Sequence, residues 1–377
     1  MARRAFGGAG GVDRVLRTLV RVAGRAARSA ATKGLRPAAQ RGTTDPIRYH
    51  RRMARPSRTL DDRLADLRAL ERSPEAPDTE AVREALRSKT GAVVALAARI
   101  VAGRELRGLA AELGPAFTRL CERPVERDPG CRGKVAIAKA LRALEEWEDE
   151  VFVPGVALVQ HEPVWGGRED TAAELRAECA MAFAHSGRED ALEVLADLLA
   201  DPERAARAGA AQALGDTGRP DAAALLRYKV RIGDPEPDVL SACLGSILAL
   251  GPRSSLPFFA GLLEGRDERA EAAALALGSS RVAAALPLLL AYCGEATRDA
   301  RERTGYLALA LLRDDAANDV LLGVVRDGEL PDAVAAARAL STFRDDARVA
   351  ARLRAAAQGR ERAVAEASGV FTPAPRG

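Results

Sequence analysis

Chemistry needs particular side chains at particular spacings, and few residues here can supply it. The chain holds only three histidines, His50, His161 and His185. Zinc favours nitrogen and sulfur donors, so His161, Glu162, Cys179 and His185 are the cluster to weigh as a metal site. Their spacings fit no ligand pattern, and solvated histidines beside a core cysteine are the plainer reading. No metal and no cofactor is expected. A catalytic nucleophile needs an oriented base beside it, and no histidine lies near a Ser or Cys in a strand–turn–helix context. The run GGAGG (7–11) lacks the preceding strand and following Lys-Ser/Thr of a phosphate loop. Glu145, Glu146, Glu148, Asp149 and Glu150 crowd together but read as a solvated helix end. Asp314/Asp315 and Asp345/Asp346 fall in inter-helix turns, where capping is the simpler role. No catalytic residue is expected, and the chain reads as no enzyme.

Six residues remain as candidates for contact with a partner. Trp165 sits on a Gly-Gly turn in the segment HEPVWGGRED (161–170), with Arg168 and Glu169 beside it. A tryptophan is costly to leave in water, so it either packs on the adjacent helices or waits for a partner. Packing is the plainer expectation. Arg168 can stack on Trp165 or pair with an acidic group. Arg227, Tyr228 and Arg231 form a small local patch on a later helix, for which ordinary surface is the plainer reading. No continuous basic stripe of the kind needed to track phosphates accompanies them.

The elements that carry these residues follow from self-similarity. From residue 170 the chain repeats with a period near 32, as in DPERAARAGAAQALGDTGRPDAAALLRYKVRIG (201–233) and DPEPDVLSACLGSILALGPRSSLPFFAGLLEGR (234–266). Asp170, Asp201, Asp234 and Asp267 open the units, which predicts helix N-caps there. Pro202 and Pro235 follow, where a missing N–H is tolerated. A small-residue stretch such as AGAAQALG lets helices approach closely. Gly187, Gly218 and Gly251 then end the first helix, predicted in the left-handed conformation. A second helix carries paired apolar residues, including Leu225/Leu226 and Phe258/Phe259. Aromatics make up only 4% of the chain, and its apolar share is mostly Ala and Leu, which favours helices over sheets. No single unit can bury both its helices, so stacking must stabilise the array.

With an acidic start, A-x-x-A-L, Gly and a second Leu-rich helix, these units resemble HEAT repeats, specifically the short Ala-rich kind named after phycobilisome lyases. The resemblance implies an all-α, right-handed solenoid. It covers 170–360 clearly, and 91–122 and 131–160 less closely. The expected organisation is a basic arm over 1–58, disordered or loosely helical, and irregular helical hairpins capping the solenoid over 59–126. The repeat array follows over 127–360, interrupted by an insertion loop at 161–170, with a C-terminal cap and tail over 361–377. Within the arm, residues 12–30 can form a basic amphipathic helix. Met53 opens a segment that reads as a normal protein start, leaving open that 1–52 is an upstream extension.

Charge divides the chain unevenly. Residues 1–58 hold fifteen Lys/Arg against two acids, so 42 of the 57 basic and 51 of the 53 acidic residues lie beyond them, near −9. Five scattered cysteines without CxxC spacing suggest no disulfide framework and a reducing, cytoplasmic setting. No apolar run reaches the roughly 18 residues of a membrane span. The resemblance and the scarcity of catalytic groups imply a non-enzymatic scaffold that binds another protein through the solenoid surface. Nucleic-acid binding through the Arg-rich arm is the alternative, since DNA-binding HEAT-like solenoids such as base-excision glycosylases exist. Bilin attachment, which the family name suggests, stands third.

Overall fold

The computed structural model describes residues 59–368, apart from Ala76, Arg266 and Arg344. The basic arm, the helix expected over 12–30 and the tail beyond 368 lie outside the described residues. The first helices are α1 (Leu60–Arg72), α2 (Thr79–Leu86), α3 (Gly91–Gly103), α4 (Leu113–Cys121), α5 (Arg132–Ala143) and α6 (Asp149–Gly155). Two short strands follow, β1 (His161–Val164) and β2 (Gly167–Asp170). The repeats then run through α7 (Ala173–His185), α8 (Ala191–Leu198), α9 (Arg204–Asp216), α10 (Ala222–Ile232), α11 (Pro237–Leu250), α12 (Leu256–Leu263), α13 (Glu268–Ser280) and α14 (Leu286–Glu295). A π-helical turn at Arg301–Gly305 leads into α15 (Tyr306–Leu311), and α16 (Asp315–Asp327), α17 (Leu330–Ser341), α18 (Ala347–Ala356) and α19 (Glu361–Ser368) complete the series.

The chain is an all-α solenoid. Its odd-numbered helices from α1 to α19 form one continuous stack, each packed on the next odd-numbered one. Small residues set the spacing of that stack. A Cβ added to Gly209 of α9 would lie 2.4 Å from the Ala177 Cβ of α7, and one on Gly278 of α13 would lie 2.3 Å from the Ala308 carbonyl oxygen of α15. Even-numbered helices close the other side through large apolar residues. Leu195, Leu226, Val230, Phe259 and Leu289 are all buried there. No helix among the described residues is long and apolar enough to cross a membrane.

Several local expectations hold and others need correction. Asp314 accepts from the backbone N–H groups of Ala316 and Ala317, and Asp346 from those of Arg348 and Val349, so both cap helices. Asp267 caps α13 through Ala270. Asp170, Asp201 and Asp234 do not cap. Their helices begin three residues later, at Ala173, Arg204 and Pro237, because these carboxylates are engaged elsewhere. Pro237, and not Pro235, therefore takes the first helical position. Gly187 and Gly218 do adopt left-handed backbone, at φ +67° and +63°. Gly251 is extended at φ −167°. Pro252 follows it, and the proline ring pushes the preceding residue out of helical space.

The insertion at 161–170 is a β-hairpin and not an irregular loop. Strands β1 and β2 pair antiparallel from His161 with Asp170 to Val164 with Gly167. Trp165 and Gly166 alone form the turn, with Gly166 at φ +94°, a conformation that glycine adopts without strain.

Candidate partner-binding site

A run of buried ion pairs fixes the ground on which the hairpin stands. Asp128 accepts from the backbone N–H groups of Gly133 (2.7 Å) and Lys134 (3.1 Å) and from Lys134 Nζ (2.8 Å), with both side chains almost fully buried. Asp170, the last residue of β2, accepts from the N–H groups of Gln160 (2.9 Å) and Ala172 (3.0 Å) and from Arg176 Nη1 (2.7 Å). Arg176 then forks onto Asp201 of the next repeat, with Nε and Nη2 both at 2.8 Å. Arg207 forks in the same way onto Asp234, at 2.8 and 2.9 Å, and Lys229 Nζ joins it at 2.8 Å. Each arginine thus satisfies a carboxylate in the following unit, a bidentate geometry suited to guanidinium.

The run stops at α11. The fourth position of the helix, held by Arg176 in α7 and Arg207 in α9, is Leu240 in α11 and Glu271 in α13. Glu271 is met from the next unit by Arg303 Nε (3.1 Å) and Thr304 Oγ1 (2.6 Å), so the pairing reverses its polarity there.

These pairs leave a signature in acid. Burial alone would raise the Asp234 pKa, but Arg207 and Lys229 bring it from 3.8 down to about 2. A carboxylate whose folded pKa is depressed contributes stability above its unfolded value and loses it as pH falls through the folded one. Asp234 is therefore expected to contribute about 2 kcal/mol at neutral pH, lost between about pH 4 and pH 2. Denaturant melts at several pH values on the wild type and Asp234→Asn check this. The variant should be less stable at neutral pH and lose less on acidification. Parallel acid profiles would remove the assignment.

The hairpin base is held on its inward face as well. Glu162 accepts from Gly130 N–H (2.7 Å), Gln160 Nε2 (2.6 Å) and Thr171 Oγ1 (2.7 Å). Burial pushes its pKa up, yet these three donors outweigh that and hold it below the usual value. Gln160 Nε2 also donates to the Asp128 carbonyl at 2.9 Å, tying the hairpin to the preceding unit.

At the other end, Trp165 is wholly exposed, at 103% relative accessibility, beside an exposed Val164. The expectation that Trp165 packs on the adjacent helices is corrected. A two-residue turn at the end of four-residue strands holds it clear of them. Arg168 does not turn to the indole but donates from Nη2 to the His161 carbonyl at 3.3 Å, and Glu169 faces solvent opposite Glu162 in the register.

Arg227, Tyr228 and Arg231 lie together on α10. The Arg227 and Arg231 guanidinium carbons stand 5.4 and 5.8 Å from the centroid of Phe258 in α12. Arg227 Nε is buried without an acceptor among the described residues. Tyr228 and Ile232 are exposed beside them, at 66% and 60%. Phe258, one of the paired apolar residues of the second helix, is half-buried and forms the platform of this patch.

The residues weighed as metal ligands are scattered. His161 is exposed on β1, while Glu162 is committed to its three donors. Cys179 is buried mid-helix, where burial raises its thiol pKa. His185 lies at the far end of α7, its Nδ1 3.0 Å from the Met181 carbonyl. Among the described residues no group of three or more His, Cys, Asp or Glu is placed to hold a metal.

Sequence reasoning also passed over Trp147. It lies within the acidic run taken for a solvated helix end, a run that spans the turn after α5 and the exposed first residues of α6, Asp149 and Glu150. The indole stacks on Phe152 (4.9 Å, 25°) and meets Phe183 edge-on (5.3 Å, 81°). Its Nε1–H donates to Asp149 at 2.6 Å. The available signal was an aromatic between Leu144 and Val151/Phe152, obscured by five neighbouring carboxylates.

Residues 166–230, which span β2 to α10 and include Arg176 and Arg207, match the family model for HEAT repeats. Comparison with curated protein sequences finds no match.

Proposed function

We infer from one premise, that the chain belongs to the HEAT-repeat proteins, a non-enzymatic scaffold that binds a protein partner. HEAT repeats mediate protein–protein interaction, and this reading assigns the contact to the hairpin first. The observation that carries it is Trp165: a wholly exposed indole on a turn whose base is pinned by Glu162 and by Asp170 with Arg176. An aromatic presented on a rigid base loses little conformational freedom when a partner covers it. Burying such a ring removes on the order of 150–250 Å² from water, several kcal/mol of driving force. Val164 and Arg168 extend the surface, with Glu169 at its edge. The patch of Arg227, Tyr228 and Arg231 supplies a second contact farther along the array. Five cysteines, all unpaired, fit the reducing, cytoplasmic setting proposed for this scaffold.

The test is a nuclease-treated capture from native lysate, followed by titration of the purified partner against wild type and Trp165→Ala. Affinity should fall by at least roughly 30-fold, as for a central aromatic hot spot, with thermal stability unchanged. Wild-type affinity in the variant would refute the hairpin contact. Should only nucleic acid be retained, and only when residues 1–58 are present and nuclease is omitted, the basic arm would be the functional element.

A further inference from the structure

We propose that a pocket between the ends of α5 and α7 receives a lysine or arginine side chain from an extended segment of a partner protein. This rests on the scaffold reading above but on none of its hairpin contacts. The pocket measures about 430 Å³ and is lined by Arg142, Glu145, Glu146, Trp147, Met181 and His185, among others. That is room for one long side chain with part of its backbone.

Its apolar wall is already in place. Trp147 is held by stacking on Phe152, by its edge contact with Phe183 and by its hydrogen bond to Asp149. Met181 adds a polarisable thioether that adapts to an aliphatic stem. Arg188 already covers part of this wall, its guanidinium carbon 6.0 Å from the Trp147 centroid and 5.6 Å from that of Phe183. What is left, Trp147 with Met181, suits a side chain with an apolar stem.

Charge around the mouth decides which side chain that is. The arginines nearby are already committed. Arg142 pairs with Glu178, and Arg188 forks onto Asp190 at 2.9 and 2.8 Å. Arg107 donates to the Leu144 carbonyl at 2.5 Å and lies 3.5 Å from Glu146. His185 is turned to the Met181 carbonyl. Against these, Glu145, Glu148 and Glu150 have no ion-pair partner among the described residues, and Glu145 lines the pocket itself. A cationic head can therefore reach Glu145 and Glu146 while its stem lies on Trp147 and Met181. An acidic side chain would meet uncompensated like charge. The excess of acids beyond residue 58, near −9 in net charge, steers the same class of partner toward this surface.

The chain has only two tryptophans, so Trp165→Phe leaves Trp147 as the only one, read apart from the four tyrosines by exciting the indole selectively. In that background, a peptide of alternating Arg and Leu, about nine residues long, is titrated against its Glu/Leu counterpart while Trp147 fluorescence is recorded. The basic peptide should give a saturable change, weakened at least roughly fivefold on raising salt from about 0.05 to 0.5 M. The double substitution Glu145→Gln/Glu146→Gln, whose side chains are exposed and whose melting curve serves as the folding control, should weaken it by a similar factor. A flat response to the basic peptide, an equal response to the acidic one, or an unchanged titration in the double variant would each overturn the proposal. Since Trp165 is absent from every sample, none of these results bears on the hairpin contact.

Discussion

Replacing Arg176 by methionine is expected to lower the unfolding free energy by about 3–5 kcal/mol, the cost of stranding buried charge. Arg176 is 2% exposed and makes four hydrogen bonds, to Asp170, to both oxygens of Asp201 and to the Leu158 carbonyl. Methionine keeps most of the apolar stem, so little packing is lost and the effect isolates the guanidinium. Asp170 would then stay buried without a cation at the hairpin base, and the mostly covered Asp201 would lose its partner at the start of the next unit. Part of the loss should return in Arg176→Met/Asp170→Asn, because one stranded charge is then removed while Asp201 remains. Denaturant melts on the three proteins measure this. A single variant within about 1 kcal/mol of wild type would mean the pairs are neutral in balance, as some buried pairs are. A second consequence follows for function. Asp170 also accepts from Gln160 and Ala172, so its displacement loosens the hairpin that presents Trp165. Partner affinity should therefore fall in Arg176→Met, although Trp165 is untouched.

The same residues show which parts of the site were legible beforehand. Repeat period and helix type were, since they rest on periodic apolar and small residues that no neighbour can disguise. The aspartates that open each unit were also visible, but a helix cap was the nearest explanation and it was wrong for three of them. A spacing supplied the better one. Lys134 follows Asp128 by six residues, as Arg176 follows Asp170 and Arg207 follows Asp201. A cation six places on, just inside the following helix, reaches back to the carboxylate in Asp128 and Asp170 and joins the backbone N–H donors already there. In Asp201 and Asp234 the cation comes from the preceding unit, a contact that exists only once helices stack. The fates of the two tryptophans were hidden for the same reason. Trp147 packs, though five acids surround it in sequence, because Phe152 and Phe183 come to it from other elements. Trp165 stands free because two short strands pair and carry it outward. Sequence neighbours decide neither outcome.

The last expected result concerns the stack itself, and it sets two helical glycines against each other. Gly209→Val is expected to destabilise by about 3 kcal/mol or more, at the upper end of what overpacking costs. Its Cβ alone would sit 2.4 Å from the Ala177 Cβ and 2.7 Å from the Ala177 Cα, so relief requires α7 and α9 to move apart. Moving them strains the fork of Arg176 on Asp201, which spans the same two repeats at 2.8 Å. Gly245, in the middle of α11, has nothing within 4 Å of an added Cβ. There Gly→Ala should stabilise by about 0.5–1 kcal/mol, since alanine loses less backbone entropy on entering a helix. Thermal melts of Gly209→Val and Gly245→Ala should therefore shift in opposite directions. If both fell, α11 would be covered on that face by something beyond the stack described. If neither moved, the closeness of α7 and α9 would not be what holds adjacent repeats together. Opposite shifts would place the stability of this solenoid in the close approach of its odd-numbered helices, with the arginine forks acting as the register that keeps each unit seated on the next.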